Sequence, residues 1–289
     1  MESENYWRTQ VSALADEHVS IRGFLLDDLI GGAGFTEAVF LLIRGELPTP
    51  QQARVLDAVL NSVLDYGLEK PGTVAARFSV AANRSMAAGL ASACLAVGEN
   101  TLATEYAGRF IRETHQEFLG SESGIEEFAR TKMAQLRNEK RRIPGFGHPV
   151  FKGVDPRAQK IRSIAVEEGL WSDAAEVYEA VHRAFTALPG REMTPINDVG
   201  ALAAVIDSLG FTPEEGTGLA LLSTFPGLIA HISEEMAARV PIRIIPRNDV
   251  DYPDPDEIKN LANAQQALGW PPARPATASS VLPTERNVL

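Results

Sequence analysis

Apolar residues recur along this chain at the spacing of helices. Val55, Leu56, Val59, Leu60, Val63 and Leu64 form one stripe after Thr49-Pro50, the repeat expected when one face of a helix is buried. Val199, Leu202, Val205, Ile206 and Leu209 repeat the pattern, with Asp198 ahead of them as a candidate N-cap and Gly210 behind them as a stop. The alanine-rich stretches Ala87–Ala96 and Ala174–Leu188 favour helix by propensity. Strand-like alternation is nearly absent, with short candidates only at Val19–Arg22 and Arg243–Ile245. The pattern therefore predicts an all-α fold. Gly120–Gly124 reads as a loop between helices, and from Pro271 the chain turns to Pro, Ala, Ser and Thr, the composition of a disordered tail.

The 289 residues are 45% hydrophobic and 22% charged, a globular balance that suits one large or two modest domains. With 27 basic against 38 acidic side chains the net charge is -11, which argues against nucleic acid as a partner. The lone Cys94 can form neither an internal disulfide nor a multi-thiolate site, so a reducing, cytoplasmic setting is expected. No uninterrupted apolar run of roughly 18 residues suggests a membrane span, and Met1–Gln10 lacks the layout of a secretory signal. A soluble protein is expected.

The most unusual segment runs from Arg142 to Ala158, Arg-Ile-Pro-Gly-Phe-Gly-His-Pro-Val-Phe-Lys-Gly-Val-Asp-Pro-Arg-Ala. Gly145 and Gly147 allow close approach of backbone to a ligand, and His148 stands where an imidazole can donate or shuttle a proton. Asp155 with Pro156 reads as a helix start that places Arg157 in the first turn, near the same loop. From spacing alone, a plain Gly-Pro loop before a well-capped helix is an equal alternative. Arg137, Lys140, Arg141 and Arg142 form the densest basic run; it suits a phosphate-bearing ligand, or is only the solvated end of a helix. Asp198 is a cap or a general base, and capping is the simpler reading for an isolated Asp. His231 falls inside a predicted helix and reads as structural; His18, His115 and His182 have no partner pattern. No His, Glu or Cys spacing matches a zinc site, and GxxxxGK[ST] and GxSxG are absent, so no metal is expected.

Read together, these segments resemble the citrate synthase superfamily, and within it the short citryl-CoA lyase type. The resemblance is carried by Ile21-Arg22-Gly23-Phe24, Asp28-Leu29-Ile30, Phe35–Leu42, Gly45-Glu46-Leu47-Pro48, the Pro144–Ala158 block, Asn197-Asp198, and Gly227-Leu228-Ile229-Ala230-His231. It implies an all-helical homodimer whose small domain, residues 104–195, is inserted in a large domain, residues 1–103 and 196–270, with 271–289 as a tail. It also implies a carbon–carbon lyase or acyltransferase acting on a small-molecule substrate, with CoA or acyl-CoA as co-substrate and no permanently bound cofactor. In that scheme Asp198 moves the proton on the carbon beside the thioester, His148 holds the oxygen of the keto acid, and Arg157 binds its carboxylate. The loop Ile143, Gly145, Phe146 and Gly147 receives CoA, with Arg141 and Arg142 beside it. The chemistry stands on its own terms: carbon acids beside a thioester are weak, so a placed carboxylate needs a hydrogen-bond donor to steady the enolate.

Three positions depart from the family pattern. Tyr66 replaces a histidine that helps bind the keto acid, and Asn100 replaces the histidine that donates to the thioester oxygen. Thr224 stands in place of a carboxylate-binding arginine. The substrate is therefore expected to carry fewer carboxylates than citrate, unless Arg243 or Arg247 of a second subunit restores the anchor. Two other readings accompany this one: a retro-Claisen lyase or hydrolase of a diketone or keto acid without CoA, and a non-catalytic regulatory homologue. Retention of His148, Arg157 and Asp198 ranks the enzymes above the last.

Overall fold

A computed structural model describes residues 6–15, 17–253 and 259–271. Among them the chain divides into two compact units, one ending at Arg243 and one beginning at Ile244. The first opens with an antiparallel meander of β1 (Ser12–Ala15), β2 (His18–Ile21) and β3 (Phe24–Leu25), in which Ser12 pairs with Ile21 and Ser20 with Leu25. The strand expected at Val19–Arg22 is thus β2. Eleven helices follow: α1 (Leu26–Gly32), α2 (Phe35–Arg44), α3 (Pro50–Asn61), α4 (Pro71–Ala82), α5 (Met86–Leu95), α6 (Thr104–Leu119), α7 (Ile125–Asn138), α8 (Pro156–Glu167), α9 (Asp173–Thr186), α10 (Asp198–Ser208) and α11 (Pro213–Ala238). The second unit holds a 3-10 turn at Arg247–Asp249 and α12 (Leu261–Ala267), which starts at the side-chain cap of Asn260. The strand expected at Arg243–Ile245 is irregular backbone, because a strand needs a neighbour to take its hydrogen bonds and none is there among the described residues. The expected tail lies outside the described residues from 272 onward.

Local signals account for the helix starts. Thr49 and Gln52 close a reciprocal capping box on α3, and Pro50 occupies the first turn, where its missing N–H costs nothing. Val55, Leu56, Val59 and Leu60 of α3 are buried. The stripe read through Leu64 overshoots: the helix stops at Asn61, Val63 remains buried beyond it, and Leu64 turns outward. At α10 the cap is Asn197, whose side-chain oxygen accepts the Gly200 N–H at 3.1 Å. Asp198 is thus the first helical residue and its carboxylate is spared the capping role assigned to it from sequence.

α11 has the length and hydropathy of a membrane span, although the sequence reading found no such run. Its apolar face is used within the fold, with Leu219, Ala220, Leu228 and Ile232 buried. Pro226 removes one helical hydrogen bond inside α11. One residue later the Gly227 N–H donates to Leu64 O at 2.9 Å, tying the loop that carries Asp65 and Tyr66 onto the helix. A side chain at Gly227 would meet Leu64 O at 2.3 Å, so only glycine permits this approach.

The buried residues form three clusters. Phe40, Leu56, Val59, Leu202, Ile206 and Phe211 unite α2, α3, α10 and the chain before α11. Phe110, Leu136, Tyr178 and Val181 unite α6, α7 and α9, and Ala203 and Ala204 of α10 join them. Ala76, Val80, Ala93, Leu228 and Ile232 join α4, α5 and α11. α10 packs on one side into the first cluster and on the other into the second, so its N-terminus is held from both sides.

Candidate active site

The glycine loop is clamped onto the start of α10. Gly147 N–H donates to Pro195 O at 2.8 Å, Asn197 N–H donates to Gly145 O at 2.8 Å, and the Asn197 amide donates to Gly147 O at 2.8 Å. Gly145 has φ +82°, and a side chain there would lie 2.3 Å from the Tyr178 hydroxyl and 2.5 Å from Gly200 Cα. The Tyr178 hydroxyl donates to Pro144 O at 2.8 Å. Phe146 wedges among Tyr178, His182 and Phe185. Two backbone groups of Gly147 and the carbonyl of Gly145 are therefore committed to the fold.

Beyond this clamp, five side chains converge. Arg157 donates from Nη2 to Asp155 Oδ2 at 2.7 Å and from Nε to Asp155 Oδ1 at 3.1 Å. Its Nη1 lies 3.0 Å from Asp198 Oδ2, and Nη2 lies 3.2 Å from His148 Nε2. Asp155 also accepts the N–H of Arg157 at 3.0 Å and that of Asp198 at 3.3 Å, so one buried carboxylate fixes both the arginine and the start of α10. Burial works against its charge, but the hydrogen bonds and the charge of Arg157 prevail and hold Asp155 below the ordinary value of 3.8. Tyr66 completes the group: burial first, and then the adjacent Asp198 carboxylate, push its hydroxyl pKa up.

His148 has a defined tautomer. Its Nδ1 accepts the backbone N–H groups of Val150 and Phe151, both at 3.1 Å, which assigns the ring proton to Nε2. Burial and then the Arg157 charge hold the imidazole below 6.5 and therefore favour the neutral form. Nε2–H and Arg157 Nη2 are then two donors side by side with no acceptor between them. An oxygen of a bound molecule satisfies both. His148, Asp155 and Asp198 offer atoms within 4.8 Å of one another, a metal-like spacing, but the positive charge among them is the guanidinium of Arg157, which touches all three.

Arg137, Lys140, Arg141 and Arg142 line a cleft of about 900 Å³ together with Ile143, Phe146, Gly147 and Arg191. The basic run thus borders an open space beside the glycine loop. Tyr66 and Thr224 line a second, small cavity of about 30 Å³. Asn100 is not brought in: it stands exposed at the tip of the Gly98–Thr101 turn, and Thr101 and Leu102 line the cavity instead. The two-residue turn reverses the chain there and carries Asn100 outward. Arg243 is committed elsewhere, donating from Nε and Nη2 to the buried Glu235 at 2.7 and 2.8 Å. Arg247 belongs to the second unit, in its 3-10 turn. His231, read as structural, donates from Nε2 to Asp65 Oδ1 at 2.9 Å, and His182 donates from Nε2 to Thr194 O at 2.8 Å. Sequence reasoning missed the hub role of Asp155, for which its place two residues before Arg157 was the available signal.

Comparison with known proteins places the chain among relatives of one family. The family described as citrate synthase, C-terminal domain, matches residues 48–246. Citryl-CoA lyase from Hydrogenobacter thermophilus superposes with a TM-score of 0.79 at 30% identity, covering 91% of this chain and 100% of that one. ATP citrate lyase from Methanothrix soehngenii, in complex with citrate and coenzyme A, shares the fold with a TM-score of 0.75 at 21% identity, over 90% of this chain and 44% of that one. Citrate synthase 2 of Bacillus subtilis is 28% identical over 237 residues, 81% of this chain, which spans 60% of that relative's length. The matched span contains the glycine loop, His148, Arg157 and Asp198 in one helical framework, and the chain belongs to the citrate synthase family.

Proposed function

We propose that this chain is an enzyme of the citryl-CoA lyase or citrate synthase type, making or breaking a carbon–carbon bond next to a thioester carbonyl. The observation that carries the reading is the convergence of His148 Nε2–H, the Arg157 guanidinium and the Asp198 carboxylate at the clamped start of α10. A keto-acid carboxylate entering the site takes Arg157 Nη1 from Asp198, which frees Asp198 to act as a base. Asp198 removes a proton from the carbon beside the thioester, and the enolate carbon attacks the keto carbon. His148 Nε2–H donates to the oxygen that gains charge as the new bond forms. In cleavage the same groups run in reverse: the bond breaks, the carbonyl re-forms, and Asp198 returns the proton.

The basic cleft of Arg137, Lys140, Arg141, Arg142 and Arg191 supports CoA as the thioester carrier, because its phosphates find five cations in an acidic protein. The core formed by α6, α7 and α9 supports residues 104–195 as the domain that closes over the site. Val74 and Phe78 of α4, Leu95 of α5 and Ile229 of α11 leave apolar surface exposed, which supports pairing with a second copy of the chain.

The test is exchange of the acetyl-CoA methyl protons in D2O, followed by NMR with a keto acid present. The parent protein exchanges them, and Asp198→Asn, which leaves the Asn197 cap intact, slows exchange by roughly a hundredfold or more. A folded Asp198→Asn variant that exchanges at the parental rate overturns the reading.

A further inference from the structure

We infer that Phe151 is a positioning residue for the proposed reaction: one face of its ring is the platform on which the His148 imidazole and the Arg157 guanidinium lie side by side. What the two donors do rests on that reading; where they stand rests on the geometry of the loop alone. The imidazole of His148 stacks on the Phe151 ring, with centroids 4.7 Å apart and planes 29° from parallel. The guanidinium carbon of Arg157 stands 5.4 Å from the centroid of the same ring, within the range of a cation–π contact. Arg157 Nη2 is 3.2 Å from His148 Nε2, and groups over opposite faces of a ring could not approach so closely. Both donors therefore share one face.

Fixing an imidazole takes two constraints, one in the plane of the ring and one across it. Phe151 contributes to both. In the plane, its backbone N–H donates to His148 Nδ1 at 3.1 Å beside that of Val150, which leaves Nε2–H on the opposite edge. Across the plane, the stack sets the tilt, so the direction of Nε2–H is defined. The loop that carries Phe151 is itself tied down. Gly153 N–H donates to Met193 O at 2.8 Å, Lys152 Nζ donates to His148 O at 3.3 Å, and Asp155 fixes Arg157 at the far end.

Two donors placed side by side without an acceptor repel each other, and the shared ring face offsets that repulsion. The charges facing His148 are those of Arg157 and Lys70, which disfavour its protonation, and those of Asp155 and Asp198, which favour it. Burial is the largest influence and holds the ring below 6.5. Phe151 covers the imidazole without adding a charge and so contributes to that burial. An aliphatic side chain of like volume fills the same space, but it has no face to stack or to meet a guanidinium. That difference separates a platform from a filler.

The experiment is a pH titration of the His148 Cε1–H resonance by NMR, on protein carrying carbon-labelled histidine. The chain has five histidines, and the signal lost in His148→Gln assigns the resonance. Phe151→Leu and Phe151→Met keep the backbone donor to Nδ1 and remove the ring alone, while Phe151→Tyr keeps the face. The parent titrates below 6.5. In the two aliphatic variants the value rises toward 6.5 as the imidazole leaves its cover and Arg157, and the acid limb of acetyl-CoA proton exchange moves to higher pH with it. With oxaloacetate or pyruvate present, these variants lower kcat and raise the keto-acid KM by about tenfold each, CoA affinity by calorimetry is unchanged, and Phe151→Tyr behaves as the parent. An aliphatic variant that titrates and turns over as the parent does, or a Phe151→Tyr variant that behaves as the aliphatic ones do, overturns the platform. A parent that exchanges no proton overturns the proposed reaction instead, and the histidine titration still decides whether Phe151 holds the ring.

Discussion

Replacing Asp155 by Asn removes the charge at the centre of the site while keeping its shape. The carboxylate accepts four donors: Arg157 N, Nε and Nη2, and Asp198 N. An asparagine keeps one oxygen for Arg157 N and Nε. Its NH2 then faces Arg157 Nη2 and the Asp198 N–H, donor against donor. Hydrogen bonds to a charged group contribute about 1.5–3 kcal/mol each, and breaking a buried pair costs more than its net worth because the partner is left unpaired. Arg157 retains Asp198 and its side chain is 33% exposed, so solvent offsets part of the loss and about 3 kcal/mol is expected. For a chain of this size that lowers Tm by roughly 6–12 °C. Calorimetry or circular dichroism measures it, and keto-acid KM rises about tenfold because Arg157 is no longer fixed, while CoA affinity is unchanged. Asp155 is held below its ordinary 3.8 in the folded chain. Its contribution is therefore fully present above that value and is lost as pH falls through the lower folded value, so parent and variant converge only in strong acid. A variant that melts within about 2 °C of the parent with unchanged KM refutes the hub role.

Gly145→Ala places a side chain against Gly200 Cα and the Tyr178 hydroxyl at a φ of +82°; overpacking and the left-handed backbone together cost about 3 kcal/mol, read as a lower denaturant midpoint. Gly124→Ala, where nothing lies within 4 Å, serves as the control and shifts the midpoint little; equal effects of the two would sink the packing argument. Arg141→Gln with Arg142→Gln weakens CoA binding about tenfold and flattens its salt dependence, and an unchanged Kd at low salt removes the basic cleft as the CoA site.

Much of this protein was legible in its sequence because local chemistry sets local structure. The stripe after Thr49-Pro50, its capping box and the Asp155-Pro156 start follow from spacing and side-chain hydrogen bonding over three or four residues, and they hold in α3 and α8. The glycines of the 143–147 loop likewise announce a backbone that only glycine adopts. What sequence could not decide depends on partners far along the chain. Whether Asp198 caps its helix turned on Asn197 taking that place, and its ion pair turned on Arg157, 41 positions away, reaching its carboxylate. Asp155 became a hub only when α10 delivered the Asp198 N–H to it. Asn100 left the site because a tight turn points it outward. Periodicity records which face of a helix is buried. It carries no information about which distant charge that burial leaves without a partner, and that is settled only when the helices pack.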